Sequence, residues 1–394
     1  MDRESLRQPR WRQGNRIALL PKGEAYFPAL LQAIADARQE VFLESYLYHD
    51  DATGRRVTAA LVWAARRGVR VQVLLDGFGT RDLPERLRQV MARAGVRLLF
   101  FHPNHWRIAF SRQRLHRLHR KLVVVDSRLG FVGGLNIVDD IDRPGDQPRY
   151  DHALRIEGPL VQDLRRAAVA QWRATCRRQL RRQWLHVDPG LPMPKPVGDM
   201  PAALLLRDNV RHRRDIERAY LRALDEAEEE VLIANAYFLP GVRFRRHLVA
   251  AARRGVRVRL CLQGRMEVPL EHQATHALYR SLLKAGVEIY EYHAGYMHAK
   301  VAVVDGRWLT VGSSNIDPVS LLLNWEANVM VRDETLAGQL RADLLEHMER
   351  DAVVIQAADL DGASWWRRAL PWLAYQLLRL ATGLTGYRGR TYFD

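Results

Sequence analysis

The sequence predicts an α/β protein of two similar lobes related by a pseudo-two-fold axis. Three observations carry that expectation: a long-range internal repeat, an alternation of amphipathic helices with apolar strands in each copy, and a Pro/Gly-rich stretch between the copies. Ala64 to Gly77 reads AARRGVRVQVLLDG, and Ala251 to Gly264 reads AARRGVRVRLCLQG, identical at ten of fourteen positions. Two copies of one fold in one chain pair about a two-fold axis, and a shared site forms where equivalent elements meet.

Each copy opens with an amphipathic helix and a buried strand. ALLQAIADARQEVFLESYLY, ending at Tyr48, matches AYLRALDEAEEEVLIANAYF, ending at Phe238. A second helix stops at the Arg-Gly of Gly68 or Gly255, because glycine takes the left-handed backbone that ends helices. Arg66, Arg67, Arg253 and Arg254 at these ends favour the negative helix pole, a structural role. A strand follows, then a third helix, then AGVRLLF from Ala94 or AGVEIYE from Ala285. This alternation predicts largely parallel sheets. RATCRRQLRRQW and LPMPKPVGDMP read as an exposed connection. The expected organisation is a lobe at 1–172, that connection at 173–200, a second lobe at 201–360 and a separate segment at 361–394.

Composition narrows the partners. Among 394 residues, 61 Lys and Arg oppose 45 Asp and Glu, a net charge of +16. With 47% apolar residues the chain builds a core and is no disordered basic tail. Its two cysteines, Cys176 and Cys261, lie outside any C-x-x-C, against a disulfide framework or a cysteine zinc site. The charge calls for nucleic acid, an anionic membrane or a phosphorylated substrate. The polar start lacks a secretory core, and no run of eighteen apolar residues predicts a membrane-spanning helix. Trp365, Trp366, Arg367 and Arg368 precede ALPWLAYQLLRLATGLTGY, broken by Pro371 and Arg379. Aromatic and basic residues beside a short apolar segment suit a helix lying in a bilayer interface; a helix packed on the core is the alternative.

The third repeated block carries chemistry. His119-Arg120-Lys121 is followed by a valine run, Asp126 and, within GFVGGLNI, Asn136; His298-Ala299-Lys300 is followed by Asp305 and, within VGSSNI, Asn315. Both fit HxKxxxxD, and all four pairs stand at one offset. In a strand, residues i and i+2 share a face, so His and Lys project together. An imidazole serves as nucleophile or general acid near neutral pH, a lysine as a fixed positive charge for a phosphate oxygen, and an asparagine as a further donor. Two such sets facing across an axis surround one phosphate, and two ammonium groups supply the electrostatic stabilisation without a metal or cofactor. His102, His105 and His116 lack a carboxylate or cysteine at ligand spacing, so they are not read as a metal site.

These paired motifs resemble the phospholipase D superfamily. GSSNIDPVSLLLNWEANV, Gly312 to Val329, and FVGGLNI resemble the bacterial cardiolipin synthases, in their shorter, peripheral B type. One departure is GGLN in the first copy where the second has GSSN. The resemblance implies a phospholipase D-like fold and a ping-pong phosphatidyl transfer, from one phosphatidylglycerol to another, through a phosphatidyl-histidine. It implies a catalytic set of His119, Lys121, Asp126, His298, Lys300 and Asp305, with His119 as nucleophile and His298 as acid/base. Asn136, Asn315, Glu326 and Asp151 fall around the substrate. Glu326 and Asp151, one acid in each half, are the groups that orient an imidazole. Phosphatidylglycerol and other anionic phospholipids are then the partners, with peripheral association at the cytoplasmic face of a bacterial cell membrane and no nucleic acid. The alternatives are a phospholipase D that passes the intermediate to water, a nuclease or phosphodiesterase acting on nucleic acid, and a scaffold with a dead site. A basic-aromatic stretch at 101–118 has no counterpart in the second copy; it reads either as a lipid-facing loop or as a solvated one.

Overall fold

The computed structural model describes residues 9–102, 116–141, 147–188, 194–266, 268–361, 365–384 and 392. Most of the 101–118 stretch lies outside them. The first copy runs β1 (Arg12–Pro21), α1 (Lys22–Asp36), β2 (Glu40–Ser45), α2 (Ala52–Arg66), β3 (Arg70–Asp76), α3 (Glu85–Arg93), β4 (Arg97–Phe101), β5 (Leu122–Val125), β6 (Leu129–Gly133), β7 (Gln147–Tyr150), β8 (His152–Glu157) and α4 (Leu160–Arg178). The second runs β9 (Met200–Arg207), α5 (Asp215–Glu226), β10 (Glu230–Asn235), α6 (Val242–Arg253), β11 (Arg257–Gln263), α7 (Pro269–Lys284), β12 (Glu288–Tyr292), β13 (Gly295–Met297), β14 (Lys300–Val304), β15 (Trp308–Gly312), α8 (Pro318–Leu322), β16 (Glu326–Arg332) and α9 (Glu334–Asp351). Then come β17 (Ala352–Ile355), α10 (Ala357–Asp361) and α11 (Trp365–Leu384).

One fifteen-stranded sheet crosses both lobes in the order β17-β12-β11-β10-β14-β15-β16-β9-β1-β8-β6-β5-β2-β3-β4. Leaving β17 aside, each lobe contributes the same series, read outward from β1 or from β9. These two strands meet antiparallel at the centre, as a two-fold relation requires. The repeat extends to ion pairs: Arg165 of α4 lies 2.6 Å from Glu40 of β2, where both are buried, and Arg341 of α9 lies 2.5 Å from Glu230 of β10, where the arginine is partly exposed.

The sheet is not largely parallel. Within this sheet, parallel pairing among the described residues is confined to β2-β3-β4 and β10-β11-β12. The strands carrying the motif break the pattern. A three-residue turn joins β5 to β6, too short for a crossover, so the two pair antiparallel, and β8 returns antiparallel beside β6. β5 is buried on both faces. Leu122 and Val124 join a core with α4 and α9, whereas Val123 and Val125 join one with α1, α2 and α3. The first of these cores spans both lobes, from Trp172 of α4 to Leu344 of α9. The lobes therefore share an interior.

Residues 173–178 continue α4, because Ala168, Trp172, Thr175 and Cys176 recur on one helical face and are buried. Arg67 and Arg254 do more than meet a helix pole. Arg67 donates to the carbonyls of Ile34, Ala35 and Ala37 at the C-terminal end of α1, and Arg254 to those of Leu224, Asp225 and Ala227 at the C-terminal end of α5. They satisfy carbonyls that a helix end leaves open.

Candidate active site

The motif histidines stand just before β5 and β14, and each is held by the opposite lobe. His119 N donates to Trp325 O at 2.9 Å, and His298 N donates to Tyr150 O at 2.8 Å. β7 pairs with β13, and Leu118 bridges Trp325, so each motif docks beside the residue that precedes the other lobe's acid. The side chains cross in the same way. His119 Nδ1 lies 3.0 Å from Glu326 Oε2, and His298 Nδ1 lies 2.6 Å from Asp151 Oδ2. Neither motif histidine is paired with a carboxylate of its own lobe among the described residues. Sequence alone located the acids but not which imidazole each serves.

His119, Glu326 and Asp151 are buried, and His298 is mostly so, its side chain 13% exposed. Burial lowers the pKa of both imidazoles, and the nearby lysines add to the fall. The carboxylates oppose it, yet His298 still drops to about 3. Burial pushes Glu326 and Asp151 up. For Glu326, His119, Lys121 and the Ser313 hydroxyl at 2.6 Å outweigh that; for Asp151, Lys300 and His298 do. Both acids end below their ordinary values. The resting state is an ionised carboxylate accepting Nδ1–H from a neutral imidazole, which leaves Nε2 with its lone pair.

Lys121 Nζ donates to the His119 carbonyl at 2.8 Å, and Lys300 Nζ to the His298 carbonyl. Burial brings Lys121 down to about 7, Glu326 resists, and Lys300 deepens the drop. The mutual influence of Lys121 and Lys300 marks one cleft with two cations aimed at it. Such a cleft suits a phosphodiester anion.

Asn136 and Asn315 are buried at the ends of the turns after β6 and β15. Asn136 Oδ1 accepts from Leu47 N at 3.1 Å, leaving its amide N–H groups as donors. Asn315 Oδ1 has no hydrogen-bond partner among the described residues.

Asp126 and Asp305 are not in the cleft. They sit at the far ends of β5 and β14 in left-handed backbone, with φ of 50° at each. Asp126 accepts from the backbone N–H groups of Arg38, Gln39 and Glu40; Asp305 accepts from those of Glu228, Glu229 and Glu230. Six residues of mostly extended chain stand between each and its histidine, roughly 20 Å at strand rise. Their position in the motif reflects a turn that aspartate tolerates and three amides that need an acceptor.

Sequence reasoning missed three contributors. The Tyr46 ring meets the His119 ring edge-on at 4.9 Å and lies 5.5 Å from Lys121 Nζ. Its repeat counterpart is Ala236, so the difference between the copies was the available signal. Asp76 accepts Leu118 N at 2.8 Å just ahead of the motif, where the second copy has Gln263. Gly134 stands where the second copy has Ser313. A Cβ there would come within 2.3 Å of Asp151 Oδ1, so the GGLN departure makes room for the carboxylate that reaches His298.

Two homologous lobes closing His–Lys pairs over one cleft define the bilobal phospholipase D type of protein. The family model described as "Cardiolipin synthase, PLD-like domain" matches residues 30–166 and 220–348, one segment in each lobe, and the chain belongs to that family. It is 39% identical over 380 residues to cardiolipin synthase B of Escherichia coli strain K12, covering 96% of this chain and 91% of that protein. It is 28% identical over 341 residues to the cardiolipin synthase of Oceanobacillus iheyensis, covering 86% and 70%. Among solved structures, the phosphatidylserine synthase of Haemophilus influenzae aligns with a TM-score of 0.68 at 12% identity, over 96% of this chain and 95% of that one, a likeness of fold.

Proposed function

We propose that the protein joins two phosphatidylglycerol molecules into cardiolipin and free glycerol through a covalent phosphatidyl-histidine. The crossed, buried His–carboxylate pairs carry this reading, because they leave two imidazole Nε2 atoms and two lysines for one phosphodiester. His119 Nε2 attacks phosphorus, the bond from phosphorus to the glycerol oxygen breaks, and that oxygen takes a proton from His298. The hydroxyl of the second phosphatidylglycerol then gives its proton to His298 and attacks phosphorus, and the N–P bond breaks. His298 is neutral in the free protein, so the arriving phosphodiester anion supplies the charge that lets it hold a proton. Lys121 and Lys300 stabilise the charge on the phosphoryl oxygens, and Asn136 and Asn315 contact the substrate.

The same reading puts the protein peripherally on the cytoplasmic face of a bacterial cell membrane. Ala374, Tyr375 and Leu378 of α11 pack on the core around α7. The adjacent face exposes Leu370, Leu373, Leu377 and Leu380, with Trp372 beside it. One helix thus supports both the packed and the interfacial readings of this segment. No helix among the described residues is long and apolar enough to cross a membrane.

Purified protein given phosphatidylglycerol vesicles and, separately, single-stranded DNA tests the proposal. Cardiolipin with equimolar glycerol supports it. Phosphatidic acid alone makes the protein a hydrolase, and cut DNA with intact lipid overturns the lipid reading. Quenching in alkaline denaturant, which spares the acid-labile P–N bond, followed by peptide mapping is expected to find the phosphoryl group on His119; finding it on His298 reverses the two roles.

A further inference from the structure

Two histidines outside the cleft stand one turn apart on α7. His272 and His276, at i and i+4, share a helix face, and Glu291 of β12 approaches both. One ligand atom from each of the three lies within 4.8 Å of the others. His272 Nε2 is 3.2 Å from the Gly264 carbonyl. A proton there leaves Nδ1 as the lone-pair nitrogen, and Nδ1 is buried with no hydrogen-bond partner among the described residues. His276 Nε2 is 2.9 Å from Glu291 Oε1 but out of line for a hydrogen bond, and it too is buried without one. The Tyr279 hydroxyl donates to the same carboxylate at 2.8 Å and holds it in place. A cavity of about 20 Å³ adjoins the two imidazoles, room for one water-sized occupant.

Two nitrogens and a carboxylate oxygen converge here: His276 Nε2 stands at ion-pair distance from Glu291 Oε1, and His272 Nδ1 keeps an unpartnered lone pair among the described residues. A cation in place of the His276 proton engages all three. We propose that His272, His276 and Glu291 bind a borderline divalent metal ion of the Zn²⁺ class, with a further coordination position open to water or an anionic ligand. The donor set is that of zinc, whereas Mg²⁺ and Ca²⁺ prefer oxygen alone. At metal–ligand bonds near 2.0–2.1 Å, the 2.9 Å separation of His276 and Glu291 subtends about 90° at the ion. The Gly264 carbonyl and the Tyr279 hydroxyl are the outer contacts that fix a ligating imidazole and carboxylate.

The place is informative. Glu291 pairs with Leu262, Leu262 with Asn235, and Asn235 with Lys300, a single row across four strands. Three strand spacings, about 14 Å, separate the backbones of Glu291 and Lys300. The ion lies beside the cleft rather than on the reacting phosphate. It ties α7 to β12 and, through Gly264, to the end of β11.

The test titrates Co²⁺ into the full-length protein after chelator dialysis. One ion per chain with a visible tetrahedral-type absorption band, displaced by one equivalent of Zn²⁺, is expected, together with a Zn²⁺-dependent rise in Tm. His276→Ala, His272→Ala and Glu291→Gln each remove the band, and His293→Ala, which alters an exposed neighbour, retains it. Circular dichroism identifies any variant that fails to fold, and Glu291→Gln, nearly isosteric, serves if a histidine variant does. No band in the parent protein, or a band that survives Glu291→Gln and both histidine variants, overturns the site as surface-histidine binding. Loss with His293→Ala alone overturns the ligand assignment.

Discussion

Lys121 is a buried ammonium whose pKa falls from 10.5 to about 7 on folding. Between those values the unfolded chain holds the extra proton, so this group makes stability rise with pH across that window; below about pH 7 both states are protonated and its slope vanishes. Lys121→Met therefore raises Tm at pH 7, flattens that part of the stability profile in denaturant titrations, and abolishes turnover. At the histidines, His119→Ala and His298→Ala each abolish cardiolipin formation from phosphatidylglycerol vesicles. Glu326→Gln and Asp151→Asn keep the fold and lower kcat by roughly 100-fold or more, because a misoriented imidazole loses most of its acid–base contribution. Full activity in any of the four removes the shared site. Asp126→Asn behaves differently. It weakens an acceptor for three backbone amides, lowering stability by about 1–3 kcal/mol while leaving kcat of the folded protein intact. The His–Lys pairs were legible because two copies at one offset share a strand periodicity. The remoteness of Asp126 follows from the same strand geometry. The crossing of His119 to Glu326 was not legible, since it depends on how β7 and β13 bring distant segments together, which no local pattern encodes.

Among elements, α11 carries the sharpest expectation. Its outward apolar face is unpaired within the described chain, while Ala374 and Tyr375 anchor the other side. Leu373→Asp with Leu377→Asp is expected to lower partitioning onto anionic vesicles in a flotation assay at least tenfold and leave Tm within a few degrees. Unchanged flotation would remove this helix as the membrane contact. Its amphipathic stretch was readable from residues 369–384, but two apolar faces side by side look the same in sequence whether they meet protein or lipid. The parallel core of each lobe was equally readable from helix–strand alternation. The motif hairpin was not, because short apolar strands such as LVVV carry no sign of direction, and only the three-residue turn after Val125 betrays it.

At the scale of the molecule, the continuous sheet and the core shared by α4 and α9 make the two lobes one folding unit. Severing the chain between Asp188 and Pro194 and producing the pieces separately is expected to give no turnover from either, with activity recovered only when both are co-expressed. Activity in one piece alone would contradict the crossed pairs. The two-lobe repeat was legible at once from AARRGVRV, whereas the palindromic strand order was not. It rests on β1 and β9 meeting at the centre, and their pairing spans only Arg12 to Asn15 against Met200 to Ala202.

The exchange of carboxylates between lobes also bears on how such a chain arises. A single lobe of this design holds an imidazole and an acid that never meet each other, so it becomes competent only by associating with a second copy of itself. Joining two copies end to end turns that concentration-dependent encounter into a permanent one and frees the copies to diverge. The divergence is limited, however. A change at His119 is answered at Glu326, more than two hundred positions away, before it is answered anywhere in its own half.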